Sequence, residues 1–271
     1  MLYKKIDLMD YGYSKEQPSL VAYLQDTVTN EPNFKRPAMV ICPGGGYEML
    51  SNRESEPVAL AFLNQGYQVF VLNYTILNKE AKQLLFPIPL YQLAQSIALI
   101  RQNSNQWTID PDRISIIGFS AGGHLCSAYS NLYHDPLFYQ KLGYSLQQIK
   151  INACILCYPA IDLTTWCPDK IIKQITNDDK FINPTNLVNK QTPPTFIWHT
   201  VSDDLVPVIN TMNYAMELLR QGIDHECHTY RQGRHGLSLA NKQSAKLMDE
   251  RYIDDHVASW FALALNWLEK L

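Results

Sequence analysis

Arg113-Ile-Ser-Ile-Ile-Gly-Phe-Ser-Ala-Gly-Gly-His124 decides how the rest of the chain is read. Its first half, through Ile114-Ser-Ile-Ile117, is the kind of apolar run that forms a strand covered on both faces. Gly118-Phe-Ser-Ala-Gly122 is a Gly-x-Ser-x-Gly, and Ala121–Leu132 beyond it has a helical pattern. A strand that turns into a helix at a serine strains that serine, and flanking glycines remove the clashes. The helix N-terminus then aims N–H groups at a developing oxyanion. The bland alternative is an ordinary strand-to-helix turn.

Working outward, further strands are expected at Ser19–Gln25, Ala38–Cys42, Gln68–Asn73, Asn152–Tyr158, Thr195–His199 and His225–Tyr230, with a weaker one near Tyr3–Ile6. Helical patterns cover Glu56–Gln65, Leu90–Asn103, Val208–Arg220 and Ile253–Glu269. In the last, Ile253, Val257, Phe261, Ala264, Leu265 and Leu268 make one apolar stripe. Strands alternating with helices predict an α/β fold: a mostly parallel, eight-stranded sheet with helices on both faces. The early pair, Tyr3–Ile6 and Ser19–Gln25, has no helix between its members and suits antiparallel pairing at an edge. Residues 1–271 read as one domain, with Leu163–Thr192 as a small cover and Tyr133–Lys150 as a second excursion.

Composition narrows the function. Lys+Arg 23 against Asp+Glu 26 gives a net charge of -3, which argues against nucleic-acid or anionic-membrane surfaces. The start, Met1–Ser14, lacks an apolar core and a cleavage site, so a cytoplasmic chain is expected. The six cysteines sit mostly in apolar stretches. Cys154 and Cys157 form a CxxC inside a strand, where alternation puts them on opposite faces, and no second CxxC completes a zinc site. His225 and His228 are likewise a poor metal pair. No metal or cofactor is implied.

Two further loops carry chemistry. Pro43-Gly-Gly-Gly-Tyr47 follows an apolar strand, and consecutive glycines let N–H groups approach a substrate oxygen. It lacks the Gly-Lys-Ser/Thr ending or G-x-G-x-x-G of a phosphate loop. Asp203-Asp204 and His235-Gly236 each follow a predicted strand, so the chain order is Ser, Asp, His. All three groups lie past carboxyl ends of strands, where open α/β sheets build their sites.

Pro43-Gly-Gly-Gly-Tyr47, Gly118-Phe-Ser-Ala-Gly-Gly-His-Leu125, the His199…Asp203-Asp204…Val206-Pro207 run and His235-Gly236 together resemble the α/β-hydrolase esterases of the acetyl esterase and acetyl xylan esterase-like group. These short-chain carboxylesterases are relatives of the prolyl oligopeptidase catalytic domain. The resemblance implies Ser120 as nucleophile, His235 as general base, and Asp203, rather than Asp204, as the acid orienting it. It also implies an oxyanion hole from the N–H groups of Gly45, Gly46 and Ala121. Two departures, Pro43 where lipase-like relatives have histidine and only about 36 residues before the strand leading to the glycines, favour short acyl chains and sugar esters over fatty ones. The expected partner is a small-molecule ester, with the oligomeric state left open. A serine peptidase for short peptides is the runner-up, and a non-catalytic binding protein on the same fold is the reading from another class.

Tyr47, Phe119, Tyr133 and Trp166 are candidate pocket walls, against the ordinary alternative that aromatic side chains are core. His124, one turn beyond Ser120, reads as a packed helix histidine, and His199 as structural. Asp249, Asp254 and Asp255 read as belonging to the start of the last helix.

Overall fold

A computed structural model describes residues 1–26, 34–246 and 249–271. The strands are β1 Leu2–Asp7, β2 Ser19–Leu24, β3 Arg36–Cys42, β4 Gln68–Asn73, β5 Ile109–Phe119, β6 Ala153–Cys157, β7 Thr195–Thr200 and β8 His225–Tyr230. They form one eight-stranded sheet in the order β1-β2-β4-β3-β5-β6-β7-β8. The β1–β2 and β2–β4 pairs are antiparallel and the remaining pairs parallel, so β2 alone of the described strands is reversed. The early pair lies at the edge, with β1 outermost and mostly exposed.

The helices are α1 Glu56–Asn64, α2 Ile88–Gln102, α3 Ala121–Leu132, α4 Pro136–Lys141, α5 Leu146–Ile149, α6 Asp169–Ile175, α7 Asp179–Ile182, α8 Ile209–Gln221 and α9 Asp255–Leu268. Strand alternation sorts the core into two layers. Val40, Phe70, Ile116, Leu156 and Ile197 pack with α2, α3 and α8. Ile41, Val71, Ile117, Ile155 and Phe196 pack with α1 and α9 on the other face. Each such side chain contributes about 1.5–3 kcal/mol by leaving water. Cys154 and Cys157 fall in opposite layers, as alternation predicts.

Several expected elements shift at their ends, and two of the shifts have a plain cause. β5 begins at Ile109 rather than Arg113, because Ile109 pairs with Arg36 across a register shift and extends the strand past Asp110-Pro-Asp112. α9 begins at Asp255, because the Asp254 carboxylate accepts from the N–H groups of His256 and Val257 and stops the helix there. Ile253 is therefore outside the helix. The buried stripe centres on Trp260 and Trp267, with Phe261 and Leu265 only partly covered. Trp260 stacks on Trp198 of β7 with centroids 5.3 Å apart.

The Leu163–Thr192 excursion holds α6, α7 and two 3-10 turns. It is fastened to α3: Asn131 donates to the Pro184 carbonyl at 3.0 Å and accepts from Thr192 at 2.8 Å. Tyr133–Lys150 contains α4 and α5, held where the Tyr129 hydroxyl donates to the Ile149 carbonyl at 2.7 Å. No described helix is long and apolar enough to cross a membrane.

Candidate active site

The serine sits where β5 meets α3, with φ 50 and ψ -116. For a residue with a Cβ, that conformation costs on the order of 1–3 kcal/mol and persists only when its surroundings impose it. They do. Ser120 N–H donates to the Cys157 carbonyl at 3.1 Å, and the Ser120 carbonyl accepts from His124 and Ala160, both at 3.1 Å. A Cβ at Gly118 would collide with the Gly122 carbonyl, and one at Gly122 with the Cys42 carbonyl. The motif's two glycines are thus demanded by backbone packing against backbone.

Ser120 Oγ donates to His235 Nε2 at 2.8 Å, and His235 Nδ1 donates to Asp203 Oδ2 at 2.8 Å. The three residues come from the ends of β5, β8 and β7, and the folded sheet brings them into one line. The Asp203 side chain is fully buried and that of His235 is 12% exposed. Burial pushes the Asp203 carboxyl up. Hydrogen bonds from His199 and His235, the charge of His235 and the Leu205 N–H outweigh that and hold it well below the usual carboxylate range.

His199 is a partner that reading it as structural undervalued. Its Nε2 lies 3.1 Å from Asp203 Oδ2 and 3.0 Å from the Val206 carbonyl, which only accepts, so Nε2 carries the proton. Nδ1 then accepts from the Thr211 hydroxyl at 2.8 Å. The His-x-x-x-Asp spacing was the signal available in the sequence. Asp204, which the resemblance passes over as the orienting acid, holds the same residue by another group: its Oδ1 accepts the His235 main-chain N–H at 2.9 Å. The two adjacent carboxylates grip the same histidine, one by its ring and one by its backbone.

The glycine turn lies against the serine, since a Cβ at Gly44 would stand 2.9 Å from Ser120 Cβ. Gly44 N–H is taken by Glu54 Oε2 at 2.8 Å. The N–H groups of Gly45, Gly46 and Ala121 have no protein acceptor among the described residues. Trp166 borders this turn, its ring edge 3.9 Å from where a Gly46 Cβ would be.

Three expected pocket walls are core instead. Tyr133 is buried and stacks on Tyr129 with centroids 5.9 Å apart. Phe119 follows Ile117 in the alternation of β5, so it points into the α9 layer against Tyr158 and Trp260. Tyr47 is wholly buried beneath the glycine turn, edge-on to Tyr74 and Phe86. Its hydroxyl donates to His124 Nδ1 at 2.8 Å, while His124 Nε2 donates to the Phe181 carbonyl at 2.7 Å. Asp254 caps α9 as read, whereas Asp249 caps the preceding 3-10 turn and pairs with Arg251. No group of three or more His, Cys, Asp or Glu among the described residues is placed to hold a metal.

His124 therefore joins the elbow helix, the glycine turn and the Leu163–Thr192 segment. Burial pushes its pKa down from 6.5 to about 4, against a smaller opposite effect of the Phe181 carbonyl. Between those values the unfolded chain binds a proton that the folded chain refuses, so stability falls as pH falls through that window. From pH 7 to pH 5 this should remove about 2 kcal/mol. Urea midpoints should drop accordingly, and the drop should be smaller by that amount in His124→Gln. An equal drop in both proteins would refute the assignment.

Residues 27–218 match the family model described as BD-FAE. The chain belongs to the BD-FAE family. This BD-FAE member is 32% identical over 214 residues to the acetylxylan esterase of Xylanibacter ruminicola, spanning 74% of this chain and 41% of that one. It is 31% identical over 243 residues to endo-1,4-beta-xylanase B of Butyrivibrio fibrisolvens, spanning 86% of this chain and 36% of that one. The chain thus spans less than half the length of these curated relatives. The solved carboxylesterase Cest-2923 from Lactobacillus plantarum WCFS1 superposes with a TM-score of 0.91 at 32% identity, over 100% of this chain and 98% of that one. The acetyl ester-xyloside bifunctional hydrolase from Caldicellulosiruptor lactoaceticus does so with a TM-score of 0.79 at 32% identity, over 98% and 96%. The fold is that of the α/β hydrolases, as the motif order implied.

Proposed function

We propose that the chain is a serine carboxylesterase for short acyl esters, acetyl to butyryl, with acetylated sugars among them. The observation that carries this reading is the unbroken line from Ser120 Oγ through His235 to buried Asp203, both steps 2.8 Å, on a strained elbow. Ser120 Oγ attacks the ester carbonyl carbon while His235 Nε2 takes its proton, and His235 returns that proton to the departing alcohol. Water then repeats the sequence on the acyl-enzyme and frees the acid. Asp203 holds Nδ1–H and stabilises the imidazolium. Gly45, Gly46 and Ala121 offer their free N–H groups to the oxyanion, each worth roughly 3 kcal/mol. Trp166 walls the site beside Gly46.

The sugar side of the proposal draws on two relatives, one named an acetylxylan esterase and the other an acetyl ester-xyloside hydrolase. The acyl side draws on the excursion fastened to α3 and on Tyr47, Phe119 and Tyr133 turning into the core, which leaves Trp166 as the remaining aromatic wall of the four. Each methylene that finds walls gains about 0.8 kcal/mol, so the gain should end where walls end. Hydrolysis rates on nitrophenyl esters from acetate to laurate should peak between acetate and butyrate. A profile still rising at octanoate would overturn the short-acyl reading.

A further inference from the structure

Glu54 is charged in type yet only 3% exposed, and it stands outside the serine–histidine–aspartate line. Its carboxylate has two partners. Oε2 accepts the Gly44 N–H at 2.8 Å, and Oε1 accepts the Tyr158 hydroxyl at 2.6 Å. Tyr158, 2% exposed, has its ring edge-on to the His235 imidazole with centroids 5.2 Å apart. Its oxygen in turn accepts the Ser238 N–H at 2.9 Å, three residues past His235. Burial, with Glu54 beside it, pushes the Tyr158 phenol well above its ordinary range, so the hydroxyl keeps the proton it donates. The residue before Glu54 makes the same connection: Arg53 donates to the Gly236 carbonyl at 2.7 Å, and its own carbonyl accepts from Ser238 Oγ at 2.7 Å.

One carboxylate therefore fixes both the glycine turn, through the residue touching Ser120, and the loop that carries His235. A buried carboxyl costs stability unless it is fully hydrogen-bonded, and here both oxygens are spent on parts of the site. Resting on the esterase reading, we infer that Glu54 is a positioning residue that sets the oxyanion donors and the general base in register with Ser120 Oγ. Glutamine keeps the shape but cannot serve both contacts. Facing Gly44 with its oxygen, it turns its NH2 on Tyr158, which then has no acceptor for its proton. The opposite orientation sets NH2 against the Gly44 N–H.

The test compares wild type, Glu54→Gln, Tyr158→Phe and the double variant on nitrophenyl acetate, together with binding of a phenylboronic acid that mimics the tetrahedral state. Phenylalanine keeps the ring on His235 and removes only the hydroxyl. Glu54→Gln should lose about 30-fold in kcat with KM within about twofold, because register matters in the transition state and little in substrate binding. Boronate affinity should fall by a similar factor. The double variant should lose no more than the worse single, since both break one path. A kcat within twofold of wild type, a loss confined to KM, or fully additive losses would overturn the inference. If Glu54→Gln does not fold, Tyr158→Phe decides alone, and a wild-type rate in it counts against Glu54. Should wild type hydrolyse no ester, the proposed function fails first. The rate at which a fluorophosphonate labels Ser120 in the variants then tests the register by itself, with unchanged labelling overturning it.

Discussion

Ser120→Ala should fold as wild type does and lose at least about 1,000-fold in turnover, with no labelling by a fluorophosphonate. The side chain removed is one hydroxyl, and the backbone bonds that impose the elbow, from Ser120 N–H and to its carbonyl, survive the change. Alanine carries the same Cβ, so the strain at φ 50 is unaltered and the melting temperature should move by only a few degrees. What disappears is the atom that, on the proposed reading, forms the covalent acyl-enzyme. The N–H groups of Gly45, Gly46 and Ala121, without an acceptor among the described residues, remain and should leave residual catalysis over water if they form the proposed oxyanion hole. The rate of nitrophenyl acetate hydrolysis measures this directly. Retention of a tenth of the wild-type rate would sink Ser120 as nucleophile.

The elements most legible in the sequence are those whose cause is local. β4, β8 and α3 have the bounds their patterns predict, because apolar runs and the Gly-Phe-Ser turn specify them without help. β5 was legible only from Arg113 onward, because pairing with Arg36 overrides the poor strand propensity of Asp110-Pro-Asp112. The line from Ser120 to Asp203 was readable as motifs, since each member follows an apolar strand and carboxyl ends of parallel strands share one edge.

Side-chain direction was less legible, and adjacency to Ser120 misled. Phe119 is next to the serine in sequence, but period-two alternation sends it into the α9 layer, a result the same rule predicts once applied. Tyr47 follows the glycines at φ 62, and nothing local tells that such a turn folds its ring inward. Glu54 is the hardest case. Ser51-Asn-Arg and Ser55 around it show no apolar period, Glu56 opens a helical pattern, and its partners, Gly44, Tyr158 and through it Ser238, are brought near only by tertiary packing. Polar networks of this kind have no period for a sequence to display.

The two aspartates give the sharper forecast. Asp203→Asn should lower kcat by about 10⁴-fold, while Asp204→Asn should stay within about threefold of wild type. Asp203 Oδ2 faces His235 Nδ1 at 2.8 Å and His199 Nε2 at 3.1 Å, and Oδ1 accepts from the N–H groups of Leu205 and Val206, both at 2.9 Å. Every acceptor position is committed. An asparagine must keep its oxygen on those two main-chain donors, so its NH2 meets two imidazole nitrogens. His235 can accept from that NH2 only by moving its proton to Nε2, the nitrogen that must be bare to receive the serine's. The ring stays in place and the base is lost, because the tautomer is wrong. Asp204 is tied to the backbone of the same histidine, through Oδ1, and its side chain is 55% exposed. Asparagine preserves that oxygen and sheds only the charge facing Arg234 at 3.5 Å, a solvent-screened contact of small worth. Asp204→Ala removes the acceptor itself and should cost more than Asp204→Asn, yet far less than Asp203→Asn, since it loosens the loop and leaves the tautomer alone. Equal losses in Asp203→Asn and Asp204→Asn would mean that grip on the loop, and not the state of the ring, is what the aspartate pair supplies.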